Sequence, residues 1–425
     1  MEKRIEKVEF RNRLYYIVGN FISVFGSSIY KFAIGLYVLK LTGSGLTFAV
    51  SLIFSILPSI LMAPITGVIV DRVDKKKLIV LMDIINGCIF LMLFLLFITD
   101  NINLWIIYGT NMVIGVLSDI FYTAFTSAKP KFVFKENLMN INSIGTIISS
   151  ISSILGPVIG GIVFGFMGLE VFVLFNGISF LISAIMEALI DFKINEDTEK
   201  EVVQKKNSLG ILEDMKGGFR YIKRREDIVY VIGLFIALNF YLALSINVPI
   251  PYIVNNVLGL SSQVYGIIQG GFPIGMIIGA LLVKRLKVIQ YMKIIMNTNL
   301  VIGVAFTIMT VAVVSNPLLG NLLTAGLLTI MMCCIGICIS FINIPIMYFM
   351  QKEVEEEFRG RVWSAAMCTI NIVIPLGLGI SGVMTKVTPP YTAFLVGVAI
   401  ILAMNITTII KMNKKQVREI IIDIA

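Results

Sequence analysis

The chain has 425 residues, 57% of them hydrophobic and 14% charged, with a mean hydropathy of +0.92 and a formal net charge of +9. That balance excludes a soluble domain, which could not cover so much apolar volume with so little polar surface. There is no histidine, no HExxH pattern and no nucleophile constellation, so no enzyme is expected; with no GxxxxGK[ST] loop, ATP is not the direct energy source of any process it drives.

Apolar runs of about 18 residues or more mark helices able to cross hydrocarbon. Twelve are expected, at approximately 14–40, 45–70, 78–99, 104–127, 141–167, 170–190, 229–254, 264–283, 292–314, 318–343, 362–385 and 390–410. A helix satisfies every backbone group internally, so the expected class is an all-α integral membrane protein. With the N-terminus inside, 32 of the 35 basic residues fall in the N-terminal segment, the even-numbered loops and the tail, and only Lys31, Lys40 and Lys386 fall elsewhere. The positive-inside rule therefore places both termini in the cytoplasm of a multi-pass cell-membrane protein. The charge is a topology signal and no nucleic-acid partner is expected. Met1 to Arg13 is charged and runs straight into span 1, so no cleavable signal is expected.

Span 1 carries a polar stripe, Asn20, Ser23, Ser27 and Lys31, at spacings that share one helical face. After span 2 comes GVIVDRVDKKK, Gly67 to Lys77, with two acids and four bases crowded at a membrane boundary. Span 4 contributes Asn111, Ser118, Asp119 and Tyr122. Span 5 contains LGPVIGG, in which Gly156 and Pro157 bend the helix while Gly160 and Gly161 permit close packing. The stretch from Asp191 to Asp227 is the only long polar one. Within it Ile211, Leu212, Met215, Phe219 and Ile222 recur at helical spacing beside Lys216, Arg220, Lys223, Arg224 and Arg225, as in a helix lying on an anionic leaflet; a solvated connector is the alternative. Span 7 places Asn239 and Asn247 on one side, span 8 offers Gly271, Gly275 and Gly279 at every fourth position, and span 10 adds Asn343. All five cysteines fall within apolar spans and read as reduced packing residues.

Six spans precede the polar stretch and six follow. Val133, Glu136 and Ser143 match Val354, Glu357 and Ser364 at one constant offset, and Gly67 to Arg72 is echoed by Gly279 to Arg285. The expected organisation is a six-helix bundle over 1–190, a linker over 191–228 and a second bundle with its tail over 229–425. Parallel repeats of this kind are a transporter architecture.

GVIVDRVDKKK resembles the loop 2–3 signature of the major facilitator superfamily, G-x-x-x-D-R-x-G-x-K/R-K/R, with Gly67, Asp71, Arg72, Lys76 and Lys77 in register and Asp74 where a second glycine is usual. LGPVIGG is similar to the element of its exporting, antiporter branches. With LKLTGSG after span 1, LFNGISFL in span 6 and FRGRVWSA before span 11, the chain most resembles macrolide-efflux-type drug exporters. The resemblance implies a conformational latch: Asp71, held by Arg72 and Lys75 with Asp119 as a third member, meets span 11 when the cytoplasmic side is closed. It also implies that spans 1, 4, 7 and 10 line a central cavity, and that the glycine faces of spans 5 and 8 meet as a seam between the halves.

Buried charge is sparse, and polar residues inside spans usually face a cavity. The carboxylates within spans are Asp83, Asp119 and Glu187, all in the first half. Lys31 is the one deep cation, roughly 13 Å from the outer end of its helix at 1.5 Å per residue, with no equally deep acid beside it. It either snorkels outward or faces the cavity. The arginine that many exporters place in span 4 is absent where Gly115 stands, leaving Asp119, with Glu187, as the ion-coupling candidates. The expected function is secondary active export of an amphipathic small molecule by alternating access, driven by a proton or Na⁺, in a lipid-embedded monomer without cofactor or metal. An anionic amphiphile such as a lysophospholipid is the second transport reading, and a non-transporting sensor or scaffold is the reading from another class.

Overall fold

The computed structural model describes residues 2–192, 194, 211–283 and 291–424. These residues are helical almost throughout and contain no strand. Among them twelve helices are long and apolar enough to cross a membrane: Glu6–Thr42, Gly45–Met62, Lys75–Ile98, Leu104–Phe132, Leu138–Phe166, Leu169–Ala188, Glu226–Val257, Ser262–Val283, Lys293–Val314, Asn321–Met350, Arg361–Val387 and Thr392–Lys411. They are spans 1 to 12. The chain forms two compact units, one of Met1–Leu41 with Ser51–Leu212 and one of Thr42–Val50 with Glu213–Ala425.

Helix ends follow local chemistry. Asp74, in the position where the family signature usually has glycine, is the N-cap of span 3: its carboxylate accepts the Lys77 backbone N–H at 2.8 Å. Asp74→Ala should lower the melting temperature of the purified protein by the equivalent of about 1 kcal/mol, and Asp74→Gly by only a few tenths; equal losses from both would show that the cap contributes nothing. Lys76 donates to the Ile190 carbonyl at 2.7 Å, just past the C-terminal end of span 6, where a cation is favoured by the helix dipole.

The repeat relation is visible in the backbone. Val133 and Val354, the offset-matched valines, each end a helix in an extended conformation and are fully buried. In the first unit the loop after Val133 is held by Glu9, which accepts from Phe134 N and Asn137 Nδ2, while Asn12 donates to the Phe132 and Asp191 carbonyls. In the second unit the hydroxyl of Tyr221 accepts from Glu355 N, and its ring stacks on Phe358 at 4.8 Å. Tyr221 belongs to a helix over Ile211–Arg224; Gly218 of that helix sits against the Arg361 backbone. The side chains of Ile211, Leu212, Met215 and Lys216 lie outside the described residues, as do those of Gly67, Asp71, Glu357 and Ser364, and Arg285 altogether.

The glycine faces are used inside each unit. Span 5 lays Gly156 against Ser28 and Gly160 against Ile29 and Phe32 of span 1, with Gly161 buried and Pro157 half-buried between them. Span 8 lays Gly271, Gly275 and Gly279 against the span 10 backbone at Thr329, Cys333 and Ile337, and Gly336 returns the contact at Phe272. Small-residue faces let backbones approach, and each of these glycines meets a neighbour in its own bundle. Span 7 also departs from the regular helix assumed for it. It opens into wider π-helical turns at Ala243–Asn247 and Ile253–Val257, around Pro249 and Pro251, because proline removes an intrahelical donor and crowds the preceding turn.

Candidate functional site: two polar cavities and a buried carboxyl pair

The polar face of span 1 meets span 4 at the level where both are most hydrophilic. Ser23, Ser27, Ser28 and Lys31 line a cavity of about 300 Å³ together with Ser118, Asp119 and Tyr122 of span 4; span 5 closes it with Ser149, Ser152 and Ser153, and Asp83, Asn86 and Phe180 border it. Lys31 is accessible in this cavity and lies within direct charge attraction of Asp119. The expectation that Lys31 lacks an acid at its depth is therefore corrected. Counting residues along separate helices fixes depth but not facing, and the packing of span 4 on span 1 sets Asp119 beside the ammonium. Asp119, expected in a relay with Asp71, thus opens onto this cavity.

A second cavity of about 260 Å³ is lined by Tyr16, Asn20, Thr126, Lys129, Asn142, Gly145 and Thr146, and shares Tyr122 and Ser149 with the first. Lys129 is 7% exposed. Its ammonium donates to Asn142 Oδ1 at 3.0 Å and lies 5.5 Å from the centre of the Tyr16 ring. Among the described residues no carboxylate lines this cavity. In the sequence Lys129 falls just past the apolar run of span 4, among the boundary charges of the following loop, which gives no sign of its burial.

Not every expected cavity residue is there. Asn111 is buried and accepts from the Tyr30 hydroxyl at 3.1 Å, away from both cavities. Asn239 donates to the Phe235 carbonyl of its own helix at 2.8 Å, while Asn247 is exposed at the end of the first π-helical turn, so the phase used to set the two on one side does not carry through. Asn343 is half-buried, and its Oδ1 has no hydrogen-bond partner. In the latch region Lys75 donates to the Ser127 carbonyl of span 4 at 3.3 Å and Arg72 is exposed, while the side chain of Asp71, which Lys75 is expected to hold, lies outside the described residues. Gly115 packs on Pro58 of span 2, where an added Cβ would fall 2.9 Å from the ring, so the missing arginine of span 4 has no room.

Below the first cavity, spans 3 and 6 cross with Gly87 facing Gly177, each so near the other's backbone that a Cβ would lie 3.1–3.2 Å from the opposing carbonyl oxygen. Phe90 and Phe180 stack beside the crossing at 5.3 Å. A polar chain links spans 1, 3 and 6: Ser23 Oγ donates to Asp83 Oδ2 at 2.6 Å and lies 2.8 Å from Ser183 Oγ, which is 2.9 Å from the Gly19 carbonyl and 3.2 Å from Glu187 Oε1. On span 1, Ser23 falls midway between Tyr16 and Tyr30, which belong to separate apolar clusters. One sequence signal could have revealed the crossing: Asn86-Gly87-Cys88-Ile89-Phe90-Leu91 and Asn176-Gly177-Ile178-Ser179-Phe180-Leu181 share N-G-x-x-F-L.

Comparison with known proteins agrees with this architecture. The family model described as Major Facilitator Superfamily matches residues 16–378. Macrolide efflux protein A of Streptococcus pyogenes is 21% identical over 366 residues, covering 85% of this chain and 86% of its own. The uncharacterized MFS-type transporter YfiS of Bacillus subtilis is 22% identical over 419 residues, 96% of this chain and 95% of its own. Among solved structures, a bacterial homologue of the iron transporter ferroportin in its inward-facing state superposes with a TM-score of 0.70 at 16% identity, over 94% of this chain and 98% of that one.

Proposed function

Because the chain belongs to the major facilitator superfamily, a family of transporters, we propose that it is a secondary active exporter that carries an amphipathic small molecule out of the cell by alternating access, as a monomer with both termini in the cytoplasm. The observation that carries this reading is the first cavity: a hydroxyl-rich hollow on the faces of spans 1, 4 and 5, in which Lys31 is set against Asp119 and Asp83 lies at the border. Such a hollow offers polar handles to a substrate without committing to one sign of charge. The relatives named for macrolide efflux support export of a drug-type molecule. The experiment is accumulation of a radiolabelled macrolide in an efflux-deficient bacterium with and without this protein, followed by proteoliposomes under imposed pH or Na⁺ gradients. Equal accumulation in the two strains would remove the macrolide; absence of any gradient-driven flux would favour the sensor reading.

A second reading, an anionic or zwitterionic amphiphile such as a lysophospholipid, is favoured by one feature, the Lys129 cavity. A buried ammonium with no carboxylate lining its cavity is stabilised by a bound anion. A labelled lysophospholipid run beside the macrolide in the same assay separates the two readings.

The latch belongs to the same proposal. Asp71, in the last turn of the helix Gly45–Arg72 that contains span 2, would meet the positive N-terminal end of a facing helix in one state of the transport cycle. Asp71→Asn should abolish transport at near-normal expression, since it removes one charge and almost no volume; wild-type flux in that variant would end the latch reading.

A further inference from the structure

Asp83 of span 3 and Glu187 of span 6 are both 0% exposed, and neither is explained by substrate contact. Their carboxyl groups are near enough for a direct contact. Two ionised carboxylates cannot make one, because each offers only acceptors. The hydroxyls do not fill the gap: Ser23 and Ser183 bring one proton each to a chain of four short contacts. Asp83 Oδ1 and Glu187 Oε2 remain without a donor, and so does the Oδ1 of Asn86, which is 1% exposed and borders the same cavity as Asp83. All three orphans are acceptors, so what is missing is a donor. Among the described residues no lysine or arginine acts on either carboxyl: span 1 brings Gly19 and Ser23 to them, span 3 brings Asn86, span 6 brings Ser183, and across the cavity Lys31 is matched with Asp119 of span 4.

We propose that Asp83 and Glu187 form a proton-binding site that holds one proton between them and exchanges it with water in the first cavity on the Asp83 side. Two carboxyl groups in contact share a proton because both cannot ionise at that separation. With the proton on Glu187, its hydroxyl donates across the contact to the Asp83 carboxylate, while Ser23 donates to Asp83 Oδ2 and Ser183 to the Gly19 carbonyl or Glu187 Oε1. Binding turns one carboxylate into a carboxylic acid, and release restores it with no other change. Sodium is the poorer fit, since the serine and carboxylate oxygens already touch at 2.6 and 2.8 Å and leave no space between them for an ion. The proposal deepens the ion-driven reading above by naming the ion and its seat, and it is tested without transport.

The test is infrared difference spectroscopy of the full-length protein in lipid nanodiscs, stepped from acid to alkaline pH. The wild type should show a protonated-carboxyl C=O band at neutral pH worth one group. Asp83→Asn and Glu187→Gln should each lose that band and remain folded, because the new amide supplies the missing donor. Absence of the band from the wild type, or its persistence unchanged in both variants, overturns the site. Its disappearance when sodium chloride replaces choline chloride overturns it in favour of a sodium site. A protein that carries no substrate in any gradient yet keeps the band loses the exporter reading and retains the proton site.

Discussion

Asp119→Asn is expected to cut transport at least tenfold, and Lys31→Ala to do the same, whereas the double variant Lys31→Ala, Asp119→Asn recovers part of the loss. The two charges face one another in the first cavity. Removing one partner of a poorly solvated pair strands the other charge, at a cost of about 3–5 kcal/mol where burial is deep; cavity water reduces that figure, and deleting both avoids it. The coupling between the two sites is read from a double-mutant cycle of initial efflux rates in proteoliposomes. This expectation differs from the one that Lys31 considered alone would give, namely a selective loss of anionic substrates. With Asp119 beside it, Lys31→Ala should impair a lipophilic cation and a lysophospholipid alike. If Asp119→Asn transports normally while Lys31→Ala is inactive, the pair does not function as one, and Lys31 is a substrate contact by itself.

Gly275→Leu is expected to prevent the second half from folding, and Gly275→Ala to destabilise it measurably. A Cβ at this position would fall on the Cys333 carbonyl oxygen and within 3.0 Å of its Cα, both backbone atoms of span 10. Backbone cannot rotate aside as a side chain can, so even one methyl forces the helices apart; overpacking of this kind costs about 1–3 kcal/mol for small insertions and more for large ones. Melting curves and size-exclusion profiles of the purified variants measure it. A monodisperse Gly275→Leu protein that melts with the wild type would mean that spans 8 and 10 do not approach as closely as the structure has them. Were the glycine face instead a moving seam, the variant would fold normally and lose only conformational exchange.

The contrast between these two sites marks what each level of description decides. Composition and the spacing of apolar runs determined the class, the twelve crossings and the six-plus-six organisation, because hydrocarbon leaves a chain this apolar no other way to satisfy its backbone. The loop after span 2 and the LGPVIGG element of span 5 carried the family likeness, and the offset match of Val133 with Val354 the internal repeat. The stripe Asn20, Ser23, Ser27 and Lys31 was also legible, since helical periodicity puts those side chains on one face whatever lies opposite. Only the tertiary structure decided what does lie opposite. It set Asp119 beside Lys31, turned Asn111 toward Tyr30, seated the glycines of spans 5 and 8 within their own bundles, and brought Asp83 of span 3 and Glu187 of span 6 into contact. The reason is geometric. A helix fixes the angles among its own side chains within one turn, but the partner of each face depends on which helices cross and at what height, and that is settled by long-range packing among spans far apart in the chain.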